Sequence, residues 1–194
     1  MSAMQSFWSK IRPRLGWVAV AAVLLFPILT LSGAVDMFLK LNGIEGESTE
    51  KGYEKQIDVL AWSWGASNSG TTHTGGGAGA GKANVQDISI TKYIDKATPA
   101  LILNTMNGKL ISTGQLSMRS YTTKGVGYES LKIELKDILV SSVSTGGSNG
   151  ESRLTENISL NFASYKLTYT PLVSDNPGSP VFVEWNIVNG TNSF

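Results

Sequence analysis

A β fold with a single short helix is what this sequence predicts, and three observations carry the prediction. From residue 35 onward, apolar and polar residues alternate with period two in segments rich in β-branched and aromatic side chains. Clusters of Gly, Ser, Asn and Pro separate those segments: Asn42-Gly43, Gly65–Gly81, Asn107-Gly108, Gly146–Gly150 and Asn176–Pro180. One stretch, opening at Thr98-Pro99, has the start and stop residues of a helix.

The chain opens differently. Residues 1–34 hold Lys10, Arg12 and Arg14 and no acid, and Leu15 to Val35 is a run of 21 uncharged residues. A 20-residue helix spans about 30 Å, the thickness of a bilayer's hydrocarbon core, so the run is long enough for a membrane anchor. Trp8 and Trp17 would sit at the interface behind a positive-inside flank. The same residues read as a secretory signal, with Pro27 breaking the helix and Ser32-Gly33-Ala34 offering a small-residue cut site before Val35. The two readings stand side by side, and either makes residues 1–34 a hydrophobic segment distinct from a domain at 35–194.

The expected strands are Val35–Leu41, Gln56–Trp64, Val85–Tyr93, Leu110–Tyr121, Leu131–Ser144, Asn157–Tyr169 and Val181–Val188, with Leu131-x-Ile133-x-Leu135 a strict alternation. Seven strands in one domain of this length argue for an antiparallel sandwich or barrel. Between the third and fourth, Thr98 can accept from the orphan amides of a first helical turn and Pro99 suits the first helical position. Gly108 then supplies a left-handed stop. Two turns of helix must pack on the sheet to persist.

Composition narrows the function. The 194 residues carry 16 Lys and Arg against 15 Asp and Glu, with no basic cluster in the globular part, so no nucleic-acid partner is expected. There is no Cys, and His73 is the one His, which removes disulfides, thiolate zinc sites, Cys nucleophiles and imidazole clusters. Gly76-x4-Gly81-Lys82 matches the first seven positions of a phosphate-binding loop. Ala83 stands where Ser or Thr should hold Mg²⁺, and Asn84–Ile90 reads as a strand where the loop needs a helix. It is read as a flexible loop. His73 lies in the polar run Ser67–Thr74 with no G-x-S-x-G elbow anywhere, and a hydrolase built on it is the least favoured reading. Asp87, Asp95, Glu134 and Asp137 read as solvated strand edges and turns, and Asn157 and Asn189 open glycosylation patterns of a kind that recurs by chance. Trp62 and Trp64, two apart on a strand, share one face and read as core or subunit interface. No catalytic residue, cofactor site or metal site emerges.

The residues resemble a known family. Val35-Asp-Met-Phe-Leu-Lys40, Ile57-Asp-Val-Leu-Ala-Trp-Ser-Trp-Gly65, the Gly75–Lys82 loop running into Asn84-Val-Gln-Asp87, Thr91-Lys-Tyr-Ile-Asp-Lys96, Leu139–Ser148, Arg153–Asn157 and Leu160-Asn-Phe162 are similar, in order, to the hemolysin-coregulated proteins, Hcp. The resemblance covers Val35–Val188. It implies two antiparallel sheets packed as a barrel-like sandwich with one short helix, hexameric rings stacked head to tail into a hollow secreted tube, and no enzymatic activity. The implied partners are further copies of the chain, a VgrG-like spike, a contractile sheath and effector proteins held in the lumen. It implies a lumen-facing role for Ser63, and a ring-stacking role for the loop Glu45–Lys55, with Glu47, Ser48, Thr49, Glu50, Lys51 and Tyr53 as candidates. The expected location is secreted after assembly in the cytoplasm, or inner-membrane or periplasmic if residues 1–34 function. Residues 1–34 depart from the family, which begins near Ala34. They are an anchor, a signal, or a stretch ahead of a true start at Val35. The competing reading is a membrane-anchored or periplasmic β-sandwich that binds a ligand.

Overall fold

A computed structural model describes residues 35–68 and 83–194. The expectations for residues 1–34, and for His73 and the Gly75–Lys82 loop, lie outside the described residues. The elements are β1 (Asp36–Leu41), β2 (Ile57–Ser63), β3 (Ala66–Asn68), β4 (Ala83–Val85), β5 (Ile88–Tyr93), α1 (Thr98–Asn107), β6 (Ile111–Tyr121), β7 (Gly127–Gly146), β8 (Thr155–Tyr169), β9 (Leu172–Val173), β10 (Asn176–Pro177) and β11 (Val181–Asn186). All seven expected strands are present, and short hairpins β3–β4 and β9–β10 add to them.

Six strands close on themselves in the order β2-β1-β6-β7-β8-β5, and β11 adds to the outer edge of β8. Closure works because β7 and β8 are long and change neighbours halfway. Gly127–Ile138 of β7 pairs with β6, whereas Leu139–Gly146 pairs only with β8. The change of direction falls at Asp137, whose φ of 51° is left-handed, and at the register shift between Val140 and Ser142; such bulges bend a strand and raise its twist.

The alternation read from the sequence is the core. Leu39, Ile57, Ile88, Ile90, Leu116, Ile133, Leu135, Ile138, Ile158 and Leu160 are all buried inside the barrel. Trp62 and Trp64 pack against that core, Trp64 edge-on to Tyr165 with centroids 4.7 Å apart. Helix α1 buries Leu101 and ends at Gly108 with φ 65°, as expected. Its start differs from the expectation. Ala97 occupies the cap position with no side-chain cap, and the Thr98 hydroxyl instead accepts from the Asp95 N–H at 3.2 Å and donates to Glu156 Oε1 at 2.8 Å. The hydroxyl's lone pairs are taken by the Asp95 N–H and the Lys92 ammonium, and its proton goes to the buried Glu156 carboxylate in a charge-assisted bond, so none is left for the helix's own amides. Among the described residues no helix is long and apolar enough to cross a membrane.

Candidate assembly surface

Three constructions stand out among the described residues. The first is a wall. Outward-facing residues of β2, β5, β8 and the second half of β7 align in cross-strand rows. Ser63 pairs with Ser89, Ser89 with Ser159, and Ser159 with Ser142. The adjacent row is Ala61, Thr91, Asn157 and Ser144. These side chains point away from the core because their neighbours Ile88, Ile90, Ile158 and Leu160 point into it. Thr91 donates to Asn157 Oδ1 at 2.6 Å. No residue of the two rows is ionisable. Asp87 marks one border, accepting from Ser141 Oγ at 2.5 Å and Asn161 Nδ2 at 2.8 Å, and Arg153 stacked 3.9 Å over the Tyr93 ring marks the other. Among the described residues no strand pairs with the far edge of Val59–Ser63 or of Leu139–Gly146. The wall is therefore a four-stranded sheet with an open edge at each side.

The second is the loop between β1 and β2. Its neck is closed by Gly46 N–H to Lys55 O at 2.7 Å and Ser48 N–H to Gln56 O at 3.0 Å, and Lys55 N–H reaches Ser48 O at 2.8 Å. Gly46 is required here, since a Cβ would overlap the Gln56 carbonyl. The loop folds back on the barrel. Tyr53 stacks on Phe38 with centroids 4.3 Å apart, Glu50 pairs with Arg119, and the Arg119 guanidinium lies 5.9 Å over Tyr53 and 5.2 Å over Tyr121. Gly127 leaves the space that guanidinium fills. Burial raises the Tyr53 hydroxyl pKa, and the bond to Glu50 raises that of Arg119. At the neck, Lys96 and Lys55 each lie 3.1 Å from a Glu45 oxygen and hold its carboxyl below the usual range. Of the six sequence candidates, Glu50 and Tyr53 are committed to the barrel and Ser48 is buried. Glu47 accepts the Lys96 N–H at 3.0 Å, and Thr49 and Lys51 are exposed.

The third is a buried ion cluster under the start of α1. Lys92 Nζ, 0% exposed, lies 2.7 Å from Asp95 Oδ1, 2.6 Å from Glu156 Oε1 and 2.7 Å from Tyr93 O. Glu156 Oε2 is buried with no partner. The expectation that Asp95 is a solvated acid is corrected: it is drawn inside by Lys92. Reading missed Lys92 and Glu156, although both sit in phase with apolar positions (Ile88-x-Ile90-x-Lys92; Glu156-x-Ile158-x-Leu160), the signal that would have found them. It also missed Arg119, Phe38 and Lys96, which no local pattern marks. Among the described residues no cluster of acids and imidazoles suits a metal ion.

The comparisons with known proteins agree with this geometry. A family model described as type VI secretion system effector, Hcp, matches residues 38–169. The chain is 53% identical over 156 residues to protein hcp1 of Pseudomonas aeruginosa, covering 79% of this chain and 96% of that protein. It is similar to the crystal structure of Hcp1 from Salmonella typhimurium, with TM-score 0.68 and 32% identity over 82% of this chain and 99% of that one. A type VI secretion system effector from Yersinia pestis superposes with TM-score 0.63 and 30% identity, over 78% and 99% of the two chains.

Proposed function

Because this chain belongs to the Hcp family, whose members are secreted structural tube proteins of the type VI secretion system, we propose that it closes into a hexameric ring whose inner wall is the uncharged four-stranded sheet. The observation that carries this reading is the pair of open edges. An unpaired strand edge is a template for another chain, and two unlike edges on one sheet make a heterologous contact that closes into a ring if the rotation allows. Edge Leu139–Gly146 of one copy then meets edge Val59–Ser63 of the next, and the Ser63 row becomes a band of hydroxyls around the lumen. Such a wall offers donors and acceptors in every direction with no fixed charge, which suits passage or retention of effector polypeptides of varied composition. The exposed tip at Thr49 and Lys51 is the part of the loop free to meet the next ring. The spike, the sheath and assembly in the cytoplasm belong to the same reading, with no catalytic role and no cofactor. The competing ligand-binding reading is not favoured by the family match.

The test is native mass spectrometry of the full gene product purified from bacteria. Sixfold complexes support the reading, and a monomer at high concentration overturns it. Subunit mass within the complex also decides whether residues 1–34 are retained, as an anchor would require, or missing, as a signal or a start at Val35 would.

A further inference from the structure

We propose that Arg153, stacked on Tyr93 at one mouth of the lumen, is the wall's binding site for carboxylate side chains, so that each ring takes an acidic segment of a cargo polypeptide at that mouth. This rests on the ring reading above and adds the chemistry that the wall selects.

Local structure holds the Arg153 side chain ready. Asp87, Ser89, Thr91 and Tyr93 share the outward face of β5 and its approach, because Ile88, Ile90 and Lys92 between them are buried. The Tyr93 ring therefore belongs to the same wall as the serine row. Arg153 ends the β7–β8 turn, two residues before Thr155, which pairs with Tyr93. The chain is fixed on both sides of this contact. The Ile94 N–H donates to Leu154 O at 2.9 Å, and the buried Lys92 ammonium donates to Tyr93 O at 2.7 Å. The Arg153 guanidinium lies 3.9 Å over the centre of the ring. A guanidinium laid on an aromatic face keeps its edge N–H groups free for a ligand. A side chain already stacked also has less rotamer freedom to lose when that ligand binds.

The charge there is open to a partner. Among the described residues Arg153 has no carboxylate within ion-pair distance. Asp95 and Glu156, the acids on the neighbouring strands, are drawn to the buried Lys92. Glu151 is exposed on the turn and does not pair with Arg153. The opposite border is different. Asp87 stands roughly 20 Å from Tyr93 along an extended strand, and both its oxygens already accept bonds, from Ser141 and Asn161. A guanidinium fork matches a carboxylate bidentately. A ligand that brings several carboxylates meets one such fork from each subunit around the ring, which raises avidity without new contacts. With an open cation at one mouth and a satisfied acid at the other, the wall is polar, and a cargo with one acidic end is oriented by it.

Rings of the full chain are titrated by fluorescence anisotropy with a peptide of alternating Glu and Gly, and with its Gln counterpart. Both peptides are amidated and carry an uncharged fluorophore, so side-chain carboxylates alone differ. Wild-type rings should bind the Glu peptide at least tenfold more tightly than the Gln peptide, and Arg153→Gln should weaken Glu-peptide binding roughly tenfold or more. Tyr93→Leu keeps the charge and frees the side chain, and should weaken it severalfold. Native mass spectrometry should show every variant at the wild-type ring mass. Equal affinity for the two peptides would overturn the proposal, as would Glu-peptide binding untouched by Arg153→Gln. Tyr93→Leu at full affinity would mean that charge acts without the stack, and the site as described is wrong. Rings lost in Arg153→Gln would place Arg153 in a subunit contact and overturn it too. Wild-type protein that forms no rings would instead defeat the ring reading beneath it.

Discussion

Removing the ammonium of Lys92 should destabilise the barrel strongly. In Lys92→Ala, Asp95 Oδ1 and Glu156 Oε1 lose partners at 2.7 and 2.6 Å while remaining buried, and Glu156 Oε2 has none to begin with. Breaking a buried ion pair by deleting one member typically costs about 3–5 kcal/mol, a large fraction of the roughly 5–15 kcal/mol that holds a domain folded. At about 2–4 °C per kcal/mol for a domain of this size, the melting temperature should fall by about 6–20 °C. Lys92→Met with Glu156→Gln removes the two fully buried charges and keeps the volume, leaving Asp95 only its Ala97 N–H, so the double variant should recover part of the loss. The assay is urea unfolding of all three proteins at one fixed concentration, since association shifts apparent stability by mass action. A cost below about 1 kcal/mol for Lys92→Ala would mean that water reaches the cluster and the desolvation argument fails. A double variant as unstable as the single one would refute the charge argument, since Met keeps the aliphatic stem and Gln removes the carboxylate left without its partner.

Other expectations are quicker to state. Gly46→Ala should break the loop neck, because the new Cβ overlaps the Gln56 carbonyl; trypsin cleavage after Lys51 and Lys55 should accelerate while far-UV circular dichroism stays unchanged, and unchanged cleavage would refute it. The Glu45 carboxyl is held low by Lys96 and Lys55. The neck's ion pairing is thus complete above the ordinary carboxylate pKa and is lost as pH falls through the lowered value. Lys96→Ala should move the Glu45 titration upward when followed by NMR, and an unmoved titration would refute the pairing. Ser63→Trp faces away from the core and should leave ring mass unchanged while narrowing the lumen, whereas loss of rings would place Ser63 in a subunit contact instead.

The fold was legible because a closed barrel has one inside, and a period-two pattern states which residues face it. Leu131-x-Ile133-x-Leu135 gave both the strand and its buried face. The strand ends were less legible. β7 runs on to Gly146 through Asp137, whose left-handed φ no pattern of Lys136-Asp137-Ile138 announces. The ion cluster was legible in phase but not in partnership: Lys92 and Glu156 lie 64 positions apart and meet only because β5 and β8 pair in that register. Arg119 was invisible for the same reason, its meaning supplied by Glu50 and Tyr53 across 69 and 66 positions of chain. The loop's role was drawn from resemblance; within the subunit Glu47, Glu50 and Tyr53 contact the barrel and Ser48 is buried, while Thr49 and Lys51 are exposed.

Charge is sorted by face in this barrel, and the sorting has a mechanical consequence. The outward face of β1, β6 and the first half of β7 carries Lys40, Glu129, Lys132, Glu134 and Lys136, with Lys132 and Glu134 3.7 Å apart. The face of β2, β5 and the other half of β7 carries hydroxyls and amides in its two central rows. Long charged side chains hold fixed, salt-sensitive partners, which suits a surface that must register against one neighbour. Short neutral side chains exert no field beyond hydrogen-bond range, so what a wall of them retains is decided by volume and by hydrogen bonds that water replaces at little net cost. Retention of a polypeptide against the Ser63 rows should therefore change little between low and high salt, whereas contacts made through the charged face should weaken as salt rises. Comparing the two in one salt series, by cargo co-sedimentation and by tube yield, checks whether the two faces do different work; parallel salt dependence would show that they do not.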